Sequence, residues 1–100
     1  MTEVKATVNG RHYRIEAHGH AGSSTVCNAV SALLYALEGA LVNHDSAVCH
    51  FSRLQPGDAE IECIAQDDLP AEDFRCILIG LMQIELAHPD EIKINQNLFQ

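Results

Sequence analysis

The stretch TEVKATVNGRHYRIEAH, residues 2–18, decides the fold because it predicts the first two strands and the turn that joins them. Apolar and polar residues alternate on both sides of Asn9-Gly10, and this dipeptide between alternating segments is a strong signal for a two-residue hairpin turn. A turn centred there puts the apolar side chains of both strands on one face of the sheet. The predicted pairs are Val8 with Arg11, Ala6 with Tyr13 and Val4 with Ile15.

A helix is predicted after this hairpin. Residues 19–24 form the connecting loop, and Ser23, Ser24 and Thr25 are all residue types that favour the N-cap position. Apolar residues at helical spacing then continue from about residue 25 to Asn43 without a proline. The predicted buried stripe of this helix is Val26, Val30, Leu33, Leu34, Leu37 and Leu41.

The segments 47–54 and 59–65 predict a second hairpin around Pro56-Gly57, and two registers are open. In the later strand, one face consists of Ile61, Cys63 and Ala65. A three-residue connection, which we prefer, adds Cys49 and Phe51 to that face. A two-residue connection adds Val48, His50 and Leu54 instead.

A second helix is predicted after Asp67 and Asp68, which can cap it, with Pro70 near its first turn and Pro89 beyond its end. Its predicted buried stripe is Phe74, Ile77, Leu78, Leu81 and Ile84. Residues 91–95 are compatible with a short final strand in which Ile92 and Ile94 point inward. The order is therefore β-β-α-β-β-α, with or without this strand. It predicts a two-layer α+β domain in which two helices cover one face of a mostly antiparallel sheet.

The composition predicts a single folded domain over residues 1–100. Hydrophobic residues make up 47% of the chain, which is typical of a packed core. The net charge is -8 and the six Lys and Arg residues are scattered, so direct binding to nucleic acid is not expected. An acidic surface suits a basic substrate instead. Because a domain of this size buries little of its surface, we expect a homodimer.

The sequence predicts a cytoplasmic protein with no membrane partner. Its first residues alternate in polarity, unlike a signal peptide, and the longest apolar stretch, Ala29 to Leu37, is short for a bilayer. In the cytoplasm the cysteines are expected to be free thiols. The four are Cys27, Cys49, Cys63 and Cys76, and no CxxC pair occurs among them. A zinc knuckle is therefore not expected, and we predict no metal site.

Cys27 is the main candidate for chemistry. It lies in the first turn of the predicted helix, where unpaired N–H groups and the helix dipole favour a thiolate. The other three cysteines are placed in strands or on the second helix, where we expect burial to keep them neutral. Six residues separate Cys27 from His20, and His is the usual base for a thiol near neutral pH. The nearby residues Ala17, Ala21 and Val26 are expected to line a cleft for an apolar substrate side chain.

Two further residues lie close to this pair in the sequence. His18 points to the same side of an extended strand as His20, so that His18, His20 and Cys27 could supply three metal ligands, but no obvious fourth ligand is near. Ser31 lies one helical turn after Cys27. There it either hydrogen-bonds near the site or bonds back to the helix carbonyl one turn earlier.

Two segments resemble a family signature. Gly19-His20-Ala21 and Val26-Cys27-Asn28-Ala29-Val30-Ser31-Ala32-Leu33 are similar to the GHA and VCxAVSAL motifs of the ribosomal-processing cysteine proteases of bacteria. The predicted element order is similar to that family too. The resemblance implies a thiol endopeptidase with Cys27 as nucleophile and His20 as base, supported by Gly19 and Ser31. It also implies a dimer without a cofactor that trims the N-terminal extension of large-subunit ribosomal protein number twenty-seven after a hydrophobic or aromatic stretch.

The loop between His20 and Cys27 departs from the family pattern. That loop is usually longer and glycine-rich, with an Asp three residues before the Cys, and here Ser24 stands at that position. The alternative hypothesis is therefore a dimeric binding module that keeps the fold with weak catalysis. A short loop also predicts a more open site, because six residues leave little chain to fold over a substrate.

Overall fold

Five strands and two helices follow one another along residues 1–97, the part of the chain that the computed structural model describes. They are β1 (Thr2–Asn9), β2 (His12–His18), α1 (Ser24–His44), β3 (Ala47–Gln55), β4 (Asp58–Ala65), α2 (Leu69–Ala87) and β5 (Ile92–Asn97). The predicted α+β order is confirmed, and it includes the final strand. That strand pairs in parallel with β1, whereas the other neighbours in the sheet are antiparallel.

The turn of the first hairpin lies one residue later than predicted. Asn9 pairs with His12, so Gly10 and Arg11 form the turn and all three predicted pairs are wrong. Gly10 has a φ of 63°, which glycine adopts without a steric penalty. In the observed register each apolar residue lies opposite another apolar residue. The pairs are Val4 with Ala17, Ala6 with Ile15 and Val8 with Tyr13. Because the pairing moves by two residues, every side chain keeps its predicted face.

The second hairpin has a two-residue turn, Pro56-Gly57, since Gln55 pairs with Asp58. The preferred three-residue connection is therefore wrong. Its inward residues, Cys49 and Phe51, are both exposed. The physical reason is the positive φ of 71° at Gly57, which closes the turn without a third residue.

A β-bulge in β3 explains why the two-residue register does not fit the whole strand either. The pairing shifts between Val48 and Phe51, so that one extra residue is inserted on β3. Leu54 packs against the core as the two-residue turn predicts. His50 turns toward the helices, where its Nε2 lies 2.7 Å from Oε1 of Glu38 on α1. Val48 lies beyond the bulge and is 37% exposed, contrary to that register.

The strand order β3-β4-β2-β1-β5 explains why both helices lie on the same face of the sheet. α1 connects β2 to β3, which are parallel to each other and separated by β4. α2 connects β4 to β5 in the opposite direction along the sheet, and β4 is antiparallel to β2. Both crossovers are expected to be right-handed. Because they start from antiparallel strands and run in opposite directions along the sheet, they place their helices on the same face.

The core lies between this face and the two helices. α1 buries Val26, Val30, Leu34, Leu37 and Leu41. α2 buries Pro70, Phe74, Ile77, Leu78 and Leu81. These are the predicted stripes, except that Leu33 and Ile84 are only partly buried at the margin. From the strands, Val4, Ile15, Ile61 and Ile92 face the helices and are almost fully buried.

The start of α2 uses both predicted aspartates, but in different ways. Asp68 occupies the N-cap without a side-chain hydrogen bond. Asp67 instead accepts a 2.9 Å hydrogen bond from the Leu69 N–H, and this bond holds the pKa of the Asp67 carboxyl below its usual range. Pro70 follows at the first turn, where a missing N–H is harmless.

α1 is long and apolar enough, by length and composition alone, to cross a membrane. It has 21 residues, and its most apolar 18-residue window has a mean hydropathy of 1.5, so the short stretch Ala29 to Leu37 understates the apolar length of this helix. Core helices of folded domains meet the same criterion. In this fold the apolar stripe of α1 packs against the sheet and α2, and 28% of the most apolar 18-residue window of the helix is buried.

We expect Leu37→Ala to lower the free energy of unfolding by about 2–5 kcal/mol, because it opens a cavity in the core. Leu37 is 0% exposed, whereas Val42 on the same helix is 60% exposed. Val42→Ala is therefore the matched control, with an expected change within about 0.5 kcal/mol. Urea denaturation followed by circular dichroism measures both variants. Equal losses of stability would contradict this assignment of the buried face.

Candidate active site

The loop between β2 and α1, residues 19–23, is tied to the turn between β3 and β4. The Gly19 N–H donates to the Gly57 carbonyl at 3.0 Å. Gly19 has a φ of 92°, and a Cβ at this position would lie 2.5 Å from the Met1 carbonyl oxygen. Only glycine meets both conditions, so the loop leaves β2 along a path that no other residue type allows.

Ser23 is the N-cap of α1. Its Oγ accepts from the Val26 N–H at 3.3 Å, and its carbonyl accepts from the Cys27 N–H at 3.2 Å. The backbone N–H of Cys27 is therefore already bonded inside the helix. The backbone N–H groups of Val26 and Cys27 are therefore not free, contrary to the expectation from the sequence. Only the earlier N–H groups of the first turn lack a partner within the helix.

His20 and Cys27 line one cleft of about 280 Å³. It lies between the start of α1, the end of β2 and the turn between β3 and β4. Cys27 is half-buried and His20 is exposed. The structure thus brings together the two residues that the sequence predicts as nucleophile and base.

The His20 ring packs directly on Gly57. A Cβ built on Gly57 would lie 2.6 Å from Nε2 and 2.8 Å from Cε1 of this ring. The ring therefore fills the space that a side chain at residue 57 would need.

His20 and Cys27 share no hydrogen bond in the described part of the chain. There the Cys27 Sγ donates to the Ala21 carbonyl at 3.9 Å, which is a long contact. In enzymes, hydrogen bonds between a nucleophile and its base often tighten only when substrate is bound. The arrangement is therefore compatible with a thiol and a base that pair during catalysis.

His18 lies at a charged margin of the cleft and not with Cys27. Its ring is 3.3 Å from both Glu16 and Asp58. Arg53 donates two hydrogen bonds of 3.0 Å to Asp58, and this pairing holds the pKa of the Asp58 carboxyl below its usual range. No three His, Cys, Asp or Glu side chains of residues 1–97 are grouped as a metal site, so the set of His18, His20 and Cys27 is not assembled.

The two serines that the resemblance singles out lie in different environments. Ser31 lines the cleft one helical turn after Cys27. Ser24 is the first residue of α1, is exposed, and is not part of the lining. The position at which the family pattern has an Asp is therefore outside the cleft lining.

The cysteines differ in exposure, contrary to the expectation from the sequence. Cys63 is buried, and burial raises the pKa of its thiol to about 11. Cys49 and Cys76 are exposed free thiols, so burial does not silence them. The bulge turns Cys49 outward, and Cys76 lies on the solvent face of α2. Cys27 is distinguished from these two by its cleft and its neighbour His20.

The apolar part of the cleft consists mainly of residues that sequence reasoning missed. Leu34 and Tyr35 come from α1, and Leu54 and Pro56 come from the second hairpin. Helical spacing from Cys27 was a signal for the first two. Nothing local indicated the second two, because they reach the cleft only through tertiary packing.

Only one of the three residues predicted to line an apolar cleft does so. Ala17 is part of the lining. Val26 is 1% exposed and belongs to the core, and Ala21 packs against that core. The start of α1 thus packs more closely against the core than we predict from the sequence.

The fold is similar to solved structures of bacterial processing proteases. The essential ribosomal processing protease Prp from S. aureus, in complex with a covalently linked product peptide, is 24% identical with a TM-score of 0.83. This match covers 97% of the present chain and 100% of that chain. The same protease with a substrate peptide is 20% identical, with a TM-score of 0.77 and the same coverage.

A second organism provides a further match. The protein SMU.848 from Streptococcus mutans is 20% identical with a TM-score of 0.73, covering 98% of the present chain and 95% of its own. No protein-family model and no curated protein matches the sequence. At these identities the comparison establishes a shared fold over 97–98% of the chain. The fold that the His20–Cys27 motifs imply is thereby confirmed.

Gly57→Ala is expected to displace the His20 ring. Gly57 and Gly10 both have positive φ, 71° and 63°, so alanine at either position costs about 1–2 kcal/mol of backbone strain. Only at Gly57 does the added methyl group meet His20, whereas at Gly10 it meets nothing within 4 Å. Ring-proton NMR shifts of His20 should change in Gly57→Ala and stay constant in Gly10→Ala. Unchanged His20 resonances in both variants would rule out the packing described.

Proposed function

We propose that this chain is a cytoplasmic cysteine endopeptidase of the ribosomal-processing cysteine protease family. The observation that carries the proposal is one cleft lined by both Cys27 and His20 and bounded by an apolar surface. Two of the residues that carry the sequence resemblance thus line the same cleft. The peptide complexes of the S. aureus protease, which has the same fold, support a peptide as the ligand.

Cys27 acts as the nucleophile and His20 as general base and acid. His20 accepts the thiol proton while the Cys27 Sγ attacks the carbonyl carbon of the scissile peptide bond. The protonated imidazole then gives this proton to the leaving amine, which leaves a thioester on Cys27. A water molecule hydrolyses the thioester with His20 again as the base, and the free thiol returns. The long bond from Sγ to the Ala21 carbonyl costs little to break.

The negative charge on the carbonyl oxygen needs donors from the cleft itself. The Cys27 N–H is bonded to Ser23 and is not available. Asn28 and Gln55 both line the cleft, and the side-chain amide of each carries two N–H donors. We infer that these amides stabilise the oxyanion.

The lining favours a substrate with a large apolar or aromatic residue before the scissile bond. Leu34, Tyr35 and Leu54 offer apolar contacts. Asp58, the acidic residue of the lining, is already paired with Arg53, so a charged anchor residue gains little there. The net charge of -8 favours a basic protein as the wider partner. Both properties suit the N-terminal extension of large-subunit ribosomal protein number twenty-seven.

A quenched peptide with aromatic residues before the scissile bond is expected to be cleaved by the wild-type chain at neutral pH. Cys27→Ala and His20→Ala should each lower kcat/KM by about 10²-fold or more, because each removes a group that takes part in bond making or proton transfer. Cys76→Ala is the matched control, since Cys76 is an exposed thiol on α2 and should not affect turnover. Mass spectrometry of the products locates the cleaved bond.

Turnover that survives in Cys27→Ala would refute the mechanism. Binding of the peptide without turnover by the wild-type chain, measured by fluorescence anisotropy, would support the alternative of a binding module. The absence of the Asp in the loop, where Ser24 stands exposed, is the observation that favours this alternative.

We also propose that the chain forms a homodimer. Apolar side chains are exposed at the open edge of the sheet, where Val48 on β3 pairs with Ile64 on β4 and Phe51 lies beside them. β3 is also an edge strand, which leaves backbone groups unpaired. Burial of this edge against a second copy removes apolar surface from water.

Sedimentation at micromolar concentration is expected to give a species of twice the 11.0 kDa of the chain. Phe51→Lys should shift the equilibrium toward the monomer, because Phe51 is 44% exposed at the open edge. Leu86→Lys is the control, since Leu86 is 76% exposed on α2. A wild-type chain that sediments only at 11.0 kDa would end this proposal.

A further inference from the structure

The turn between α2 and β5 brings Glu91 against the loop that precedes Cys27. The Glu91 backbone is held on both sides, since its carbonyl accepts from the Thr2 N–H at 2.9 Å and its N–H donates to the His88 carbonyl at 3.0 Å. Its side chain reaches Gly22, where a Cβ would lie 3.5 Å from Oε1 and 3.8 Å from Cδ. The carboxylate therefore packs on the second half of the loop.

The two carboxylate oxygens of Glu91 have different surroundings. Oε2 lies 3.3 Å from Nδ1 of His88. Oε1 is buried and has no hydrogen bond of good geometry within residues 1–97. A buried oxygen without a hydrogen bond costs free energy of folding. The ion pair with His88 does not satisfy Oε1, because that pair uses Oε2.

Ser23 is the neighbour with the largest effect on the pKa of this carboxyl. The Ser23 hydroxyl, and to a lesser degree the Ser23 N–H, lower the pKa of the Glu91 carboxyl below its usual range in spite of the opposing effect of burial, although neither group makes a hydrogen bond of good geometry with Oε1. The same hydroxyl accepts from the Val26 N–H, and the Ser23 carbonyl accepts from the Cys27 N–H. Glu91 is thus connected to Cys27 through a single residue.

The charge of Glu91 also suits the start of α1. The first turn of this helix contains no acidic residue, so its positive end has no carboxylate of its own. A negative charge beside the N-cap stabilises the first turn through the helix dipole. Glu91 supplies that charge from a segment more than sixty residues further along the chain.

We propose that Glu91 is a positioning residue whose carboxylate holds Gly22 and Ser23, and so fixes the first turn of α1 on which Cys27 is carried. Its effect on the helix start is independent of what the cleft does. Its effect on catalysis rests on the proposed function. Neither effect needs Glu91 to touch the substrate.

Hydrogen exchange of the Val26 and Cys27 amides tests the first effect in the intact chain. In Glu91→Ala these amides should exchange about five- to tenfold faster, the loss typical of a weakened helix cap. Glu91→Gln keeps the shape without the charge and should give an intermediate increase. Asp90→Asn is the matched control, because Asp90 is an exposed acid in the same turn and should change nothing.

The pH dependence separates the charge from mere packing. The pKa of the Glu91 carboxyl is lowered in the folded chain, so its contribution is present above the unfolded pKa and is lost as pH falls through the folded one. After correction for the pH dependence of intrinsic exchange, protection of the Cys27 amide in the wild-type chain should therefore decrease as the pH falls through the folded pKa of Glu91. Glu91→Gln should lack this dependence. A wild-type profile identical to that of Glu91→Gln would overturn the proposal.

Peptide turnover tests the second effect. Glu91→Ala should lower kcat about tenfold with little change in KM, because the apolar surface of the cleft is not altered. Unchanged amide exchange in Glu91→Ala, an equal effect in Asp90→Asn, or faster exchange spread to core amides such as Leu37 would each refute the positioning role. If the wild-type chain cleaves no peptide, the proposed function fails while the exchange measurements still decide the role of Glu91.

Discussion

The burial of one apolar face of the sheet by α1 and α2 is the constraint on which the rest of the structure depends. Leu37, Leu81 and Ile61, one from each helix and one from the sheet, are all fully buried at this contact. Because α1 must lie on the sheet directly after β2, the connection between them is short. That short connection carries His20 at one end and leads to Cys27 at the other. The meeting of the two residues is therefore a consequence of core packing and not of any attraction between them.

The turn between β3 and β4 gives this connection its shape. Gly57 accepts a hydrogen bond from Gly19 through its carbonyl and leaves room for the His20 ring above its Cα. The helix end of the connection is held separately, by Ser23 as the cap and by Glu91 beside it. A loop held at both ends loses little conformational entropy when it binds a ligand.

The face of the sheet that the helices leave open is covered by charged pairs across the strands. Arg14 donates to Glu60 at 2.8 Å, and this bond is the main reason why the pKa of the Glu60 carboxyl lies below its usual range. Arg53 has the same effect on Asp58. Their contribution to stability is present above the unfolded pKa of the carboxyls and is lost as pH falls through the folded values. Such exposed pairs are individually weak. The main effect of these charged pairs is to keep the open face of the sheet polar beside the cleft.

The sequence by itself determined the order of the elements, the two buried helix stripes and the place of His20 and Cys27 on either side of one short loop. Alternation, helical spacing and short motifs are local properties that can be recognised within a window of a few residues. Only the tertiary structure decided the bulge in β3, the exposure of Cys49, the placing of Leu54 in the cleft and the contact of Glu91 with the loop. Each of these depends on contacts between segments far apart along the chain. Their energies are set when the helices and strands pack together, and no local pattern contains them.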